Sequence, residues 1–187
     1  MNRNWIRARL VLALIVLVLN SFAPARGFCV DRTRDERSVR AAYVFNLIKY
    51  VEWPPNSGEV VIGFIGSPAT GEVMQSMLNG KTNQSRTVKV LLSPSNEELQ
   101  RCNIVYIEDS QTGEIRSALK RLKGRDILTI GDSESFAPSG GMVGLVKVGD
   151  QIQLRVNLDA TQRSGIKISS RVLNLAVIVR AEQNANN

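Results

Sequence analysis

Between residues 59 and 130 the chain alternates short apolar runs with amphipathic stretches. This alternation constrains its fold more than any other feature. Glu59 to Gly66 (EVVIGFIG), Thr87 to Leu92, Asn103 to Glu108 (NIVYIE) and Asp126 to Ile130 read as strands. Ser67-Pro68 forms an N-cap and first-turn pair for a helix that Gly80 closes. Asn96 to Arg101 reads as a short helix. Gln111 to Lys123 reads as a longer one, with Ile115, Leu119 and Leu122 on one face and Gly124 after it. The resulting β-α-β-α-β-α-β order predicts the α/β class: a single domain with a mostly parallel sheet covered by helices.

The flanks of this region carry different patterns. Thr33 and Glu36 have capping-box spacing. Behind them Val39, Ala42, Tyr43, Asn46, Leu47, Tyr50 and Val51 recur at helical spacing, so a helix is expected to reach Trp53, where Pro54 and Pro55 stop it. Met142 to Val148 and Gln151 to Asn157 alternate with period two around Gly149-Asp150, which predicts an antiparallel hairpin. Ser169 to Arg180 is apolar on most sides and reads as a buried C-terminal helix.

Residues 1–25 are set apart. Arg3, Arg7 and Arg9 precede an unbroken apolar run from Leu10 to Leu19, and Ala23-Pro24-Ala25 follows with the form of a signal-peptidase site. This is the order of a cleaved secretory signal peptide. The run is half the roughly 20 residues that a spanning helix needs. The exported mature chain is then expected to have a flexible segment over 26–35, a folded domain over 36–181 and a flexible tail over 182–187. The chain's 24 Lys and Arg against 17 Asp and Glu fall to 21 against 17 once the three signal arginines are removed. A net charge of +4 in an exported protein is no nucleic-acid footprint.

Composition then narrows the chemistry. Among 187 residues there is no histidine and there are only two cysteines. That excludes Ser-His-Asp and Cys-His catalysis, His-ligated zinc and an all-thiolate zinc site. Neither a cofactor nor a metal is expected. Gly63, Gly66 and Gly71 stand where a strand-to-helix turn could cradle a phosphate, although the spacing is not G-x-G-x-x-G and tight turning explains them equally well. Glu108 with Asp109, and Asp132 with Glu134, follow the third and fourth strands, at the sheet edge where open α/β folds bind ligands. Asp109 and Asp132 are therefore candidate ligand-binding residues, with helix capping as the rival role. Arg116, Lys120, Arg121, Lys123 and Arg125 form a basic helix face that suits solvent, an acidic partner or an anionic membrane surface. Cys29 and Cys102 could pair in an oxidising compartment, a bridge worth roughly 4 kcal/mol in the chain-entropy model. A buried Cys102 with an exposed Cys29 is the alternative.

The segment Val39 to Pro54 (VRAAYVFNLIKYVEWP) resembles the opening signature of the YfiR-like family of exported bacterial proteins. Further similar stretches follow in order: GFIGSP from Gly63, RCNIVYI from Arg101, LTIGDS from Leu128, Phe136, GGMVGLV from Gly140, VNLDA from Val156 and GIKISSRVLNLA from Gly165. The resemblance implies a periplasmic, dimeric, non-catalytic protein. It implies a brake on an inner-membrane diguanylate cyclase, applied by binding the cyclase's periplasmic domain and controlling cyclic di-GMP and biofilm. It further implies sequestration by an outer-membrane, peptidoglycan-binding lipoprotein. Cys102 matches a family cysteine that precedes a strand, but the expected partner region, Val61 to Phe64, holds none, and a second hairpin-associated bridge is missing. Cys29 is the substitute that remains for a pairing.

The resemblance also implies partner contacts, expected here on the segment Asn157 to Arg171. Its Ile166, Ile168 and Arg171 mix apolar and guanidinium side chains as interface centres do. Asn157 and Ser169 are expected to cap the adjoining helices, and Trp53 to pack in the core. The competing functional expectation is a periplasmic small-molecule sensor or solute-binding domain that uses the carboxylates at the sheet edge. A third is a carboxylate-dependent hydrolase.

Overall fold

The architecture is built around strand β5 (Ile104–Ile107), whose four residues are all buried. Its side chains alternate between two cores: Ile104 and Tyr106 join one, Val105 and Ile107 the other. A strand that is apolar on both faces must be sandwiched, and β5 is. The computed structural model describes residues 32–53, 58–108 and 112–180. These belong to one compact unit. The expected signal peptide, Cys29, Pro54, Pro55, Asp109 and the tail over 182–187 lie outside the described residues.

The other strands are β1 (Val51–Glu52), β2 (Glu59–Ile65), β3 (Thr82–Asn83), β4 (Arg86–Leu92), β6 (Leu128–Gly131), β7 (Val143–Val148), β8 (Gln151–Asn157), β9 (Lys167–Ile168) and β10 (Val177–Val179). Eight form one sheet in the order β10-β8-β7-β6-β5-β2-β4-β3. The pairs β2–β4, β2–β5, β5–β6, β6–β7 and β8–β10 are parallel. The β7–β8 hairpin and the short β3–β4 hairpin are antiparallel. The predicted α/β class, with a mostly parallel sheet covered on both faces and a C-terminal hairpin, is the fold observed.

Helices α1 (Arg32–Leu47) and α2 (Pro68–Leu78) cover one face, which holds Ala41, Val44, Leu47, Ile48, Met74 and Leu78 against the strands. Helices α3 (Asn96–Leu99) and α4 (Thr112–Leu122) lie toward the other, with Leu99, Ile115, Ala118 and Leu122 in its core. Ser67 caps α2 as expected, and Ser95 with Glu98 closes a full capping box on α3. Helix α5 (Leu158–Arg163) is capped by Asn157, whose Oδ1 accepts from Ala160 N–H at 2.9 Å. Ser169 likewise caps α6 (Ser170–Leu173). Trp53 is half-buried against the first core, and its Nε1 donates to the Ile48 carbonyl at 3.0 Å.

The structure corrects four expectations. Residues 32–35, expected to be loose, are the start of α1. The helix gains tertiary support there, because Glu36, which pairs with Arg40 one turn on, also pairs with Lys147 of β7. At its other end α1 stops at Leu47 rather than Trp53. A 3₁₀ turn over Ile48–Tyr50 follows, and then β1, which pairs with β9. The stripe read from the sequence is also only partly buried: Leu47 and Val51 join Ala41, Val44 and Ile48 in the core, whereas Val39, Ala42 and Asn46 are exposed.

The buried C-terminal helix does not exist. Only Ser170–Leu173 is helical, and Val177–Val179 is the edge strand β10. Three consecutive β-branched residues favour the pleated geometry. Nor is the segment buried, since Leu175 is 83% exposed.

Close packing explains several glycines. The Phe136 ring, fully buried, occupies the space where a Cβ on Gly131 or on Gly141 would stand. A Cβ on Gly63 would lie 2.9 Å from the Cys102 Sγ. Cys102 is buried and its thiol is free. Gly63 is therefore the position within Val61 to Phe64 that faces this cysteine, and it leaves room for the thiol and no more. The reach from that Cβ to the sulfur matches what a disulfide spans. Gly63→Cys should accordingly close a bridge to Cys102 on oxidation. The chain-entropy model gives a gain of about 4 kcal/mol for such a loop. A reductant-sensitive rise in Tm is the expected result, and its absence would refute the geometry.

Candidate functional site

Strands β5 and β6 run side by side with Ile107 opposite Gly131, so Glu108 and Asp132 take adjacent positions at the carboxyl end of the sheet. This is the edge where ligands were expected. The structure puts these groups to internal use. The Glu108 carboxylate accepts from the Ser67 backbone N–H at 2.6 Å and from the Thr70 hydroxyl at 2.5 Å. It sits at the start of α2, where the partial positive charge of the helix attracts an anion. The phosphate cradle suggested by Gly63, Gly66 and Gly71 is thus filled by the chain's own carboxylate. Gly66 makes the arrangement possible, because a Cβ there would meet the Glu108 Cβ at 2.5 Å and Oε2 at 2.7 Å.

Asp132 accepts a hydrogen bond from the Tyr106 hydroxyl at 3.3 Å. Tyr106 is buried and stacks on Phe64 with ring centroids 5.6 Å apart. Burial first, and then the Asp132 charge, push its phenol well above the ordinary value of 10.0. Glu134 is exposed and pairs with Arg155 at 3.7 Å. The basic residues of α4, Arg116, Lys120 and Arg121, are exposed, and Arg121 donates to Asn96 Oδ1 at 2.8 Å. Burial also raises the Cys102 thiol to about 11, which keeps it protonated and unreactive at neutral pH. Among the described residues, no cluster of three or more acidic or sulfur ligands could hold a metal ion.

The expected partner segment is divided by the fold. Ile166 is only 4% exposed and belongs to the core, so it supports the segment from beneath and is not available for contact. Ile168 is half-buried and lies opposite Val51 in the β1–β9 pair. Arg171 is exposed on α6.

A sizeable groove lies elsewhere, and sequence reasoning missed it. A groove of about 540 Å³ runs between α1, the β7–β8 hairpin and the start of the C-terminal strand. Tyr43, Tyr50, Ile152, Leu154, Val172 and Leu175 are among the residues that line it. A second concavity of about 450 Å³ shares Tyr43, Gln151 and Ile152 with it and extends past Val39 to Asp35. Val39, Tyr43, Asn46 and Tyr50 belong to the stripe read at helical spacing, whose Leu47 and Val51 are buried in the core. The four line these hollows, Tyr43 and Tyr50 also packing against the edge of the core, and Tyr43 holds the wall with a hydrogen bond to the Ile152 carbonyl at 3.3 Å. The signal was present in the sequence as a stripe at helical spacing, which does not say which of its members stay open to solvent.

These features define a covered α/β domain whose sheet-edge anion position is self-occupied and whose open surface is an apolar groove. The YfiR/HmsC-like family model matches residues 37–177, and the chain belongs to that family. The family is one of periplasmic regulatory proteins rather than catalysts, with a theme of cyclic di-GMP signalling. No helix among the described residues is long and apolar enough to cross a membrane. Among solved structures, an ABC domain from Streptococcus pneumonia in complex with L-Trp is similar in fold, with a TM-score of 0.55 and 13% identity over 74% of this chain. A conserved domain protein from Vibrio cholerae gives 0.47 and 12% over 76%. The chain spans about three-fifths of the length of each, 60% and 59%.

Two outcomes are expected from the sheet edge. Glu108→Ala should cost about 1–3 kcal/mol in urea denaturation, because it strands the Ser67 and Thr70 donors. Sulfate or phosphate should then stabilise the variant but not the wild type, and equal responses would refute the self-occupied site. For Tyr106, a folded-state pKa above the unfolded one means stability that is full below pH 10 and is lost as pH rises beyond it. The wild type should lose up to roughly 1.4 kcal/mol per pH unit from this group there. Tyr106→Phe should flatten that part of the stability–pH curve.

Proposed function

We propose that this chain is a periplasmic regulatory binding protein that restrains an inner-membrane diguanylate cyclase through contact with the cyclase's periplasmic domain. Family membership over residues 37–177 is the observation that carries this reading. The chain reaches the periplasm by cleavage of the signal peptide over residues 1–25. It works as a homodimer, and an outer-membrane, peptidoglycan-binding lipoprotein relieves the restraint by sequestering it. Contact with the cyclase uses the surface around Ile168 and Arg171.

The use of Glu108 and Asp132 within the fold supports a protein that works by contact. A small-molecule sensor at the sheet edge is served less well, because the helix terminus best suited to an anion already holds Glu108. Carboxylate-dependent hydrolysis is disfavoured for the same reason.

Deletion of the gene should raise cyclic di-GMP and surface attachment severalfold, and the wild-type gene should restore both. Arg171→Glu, an exposed substitution, should fail to restore them while leaving Tm unchanged. Levels that ignore the deletion would overturn the cyclase reading. Full restoration by Arg171→Glu would move the contact surface elsewhere.

A further inference from the structure

The positive charge of the mature chain is not spread over its surface. Residues 116–125 hold five cations, Arg116, Lys120, Arg121, Lys123 and Arg125, and no acid. The other 16 Lys and Arg of residues 26–187 are matched by 17 Asp and Glu, so this one stretch carries the whole excess. It is helix α4 and the turn that follows. Ile115, Ala118 and Leu122 anchor the helix in the second core, which turns its cations outward. All five are exposed, and among the described residues none of them pairs with a carboxylate. Arg116, Lys120 and Lys123 are spaced four and then three residues apart, which lines them along one flank. Arg121 and Arg125 line a hollow of about 230 Å³ beside α3. The helix dipole favours cations in the last turn only, so it does not account for Arg116.

We propose that α4 seats the protein on an anionic phospholipid surface of the kind that bounds the periplasm. Charge complementarity points to this occupant. The centre of an interface between proteins is apolar or aromatic and poor in charge. Among the described residues of 112–126, no large apolar side chain is exposed. Lipid phosphates require no such anchor, only a cluster of roughly four to eight cations close to the surface. The hollow adds a recess in which two guanidinium groups can grip one phosphate. Arg121 is held at its rim by the bond to Asn96. Helix α1 and its groove lie across the sheet, against the other core. A chain seated through α4 therefore keeps that groove open to the aqueous side. The inference rests on the regulatory reading only in setting the chain beside a membrane.

The test uses the protein as the cell exports it, pelleted with vesicles. Vesicles of phosphatidylethanolamine and phosphatidylglycerol should carry it down at low salt, and vesicles of phosphatidylcholine should not. Salt at about 1 M should release it, because the Debye length is then only about 3 Å. A cation near an anionic surface strengthens binding about fivefold, so Lys120→Gln with Lys123→Gln should weaken it about 25-fold. Lys49→Gln with Lys81→Gln removes the same charge from exposed sites outside α4 and should bind as the wild type does. Both pairs should keep the wild-type Tm. A wild type that stays in solution, binding that persists in high salt, or equal losses in the two pairs would each overturn the proposal. A chain indifferent to vesicles, whose restraint of the cyclase is lost in Lys120→Gln with Lys123→Gln, would put an acidic protein on α4 in place of lipid. Vesicle binding that follows these expectations, with cyclic di-GMP unmoved by gene deletion, would support the membrane contact and overturn the cyclase reading alone.

Discussion

The contact between Glu108 and the start of α2 organises much of the molecule. It joins the end of β5 to the β2–α2 turn through two hydrogen bonds, and it requires that residue 66 have no side chain. The carboxylate satisfies donors that a helix start leaves open and offsets the helix dipole. In doing so it converts the position where many α/β domains hold a phosphate into a structural joint. What remains for function is the outer surface, and that surface is apolar around the α1 groove and the last strand.

The parallel core was legible in the sequence because its strands are short, apolar and bounded by turn residues. Glu59–Ile65 and Gln151–Asn157 were found almost to the residue. The caps Ser67, Asn157 and Ser169 were legible too, since each needs only one side-chain oxygen at one position. The β3–β4 hairpin was not. Its turn is Gln84-Ser85, both at positive φ, and neither residue advertises that conformation as Asn-Gly would.

Long-range pairing defeated the rest. Val51–Glu52 is a strand only because Lys167–Ile168 lies beside it, and no local pattern encodes that. Val177–Val179 was mistaken for helix because a short apolar run carries no period of its own. One residue of the candidate contact segment was misread for a similar reason. Ile166 looked like an interface residue from composition, yet it belongs to the core. Helix α1 carries apolar residues on two faces, and periodicity alone does not say which one the sheet will take.

The docking of α1 also has a consequence for the order of events during synthesis. Arg40 bonds to the Leu145 carbonyl, 105 residues away, and Glu36 pairs with Lys147, 111 residues away. The helix is among the first parts of the chain to emerge, but the hairpin that anchors it is among the last. Until then one apolar face has nothing to cover it, and a nascent chain in that state is prone to aggregate. Final closure of this domain therefore waits on its C-terminal third, so a truncated chain would leave its N-terminal helix stranded.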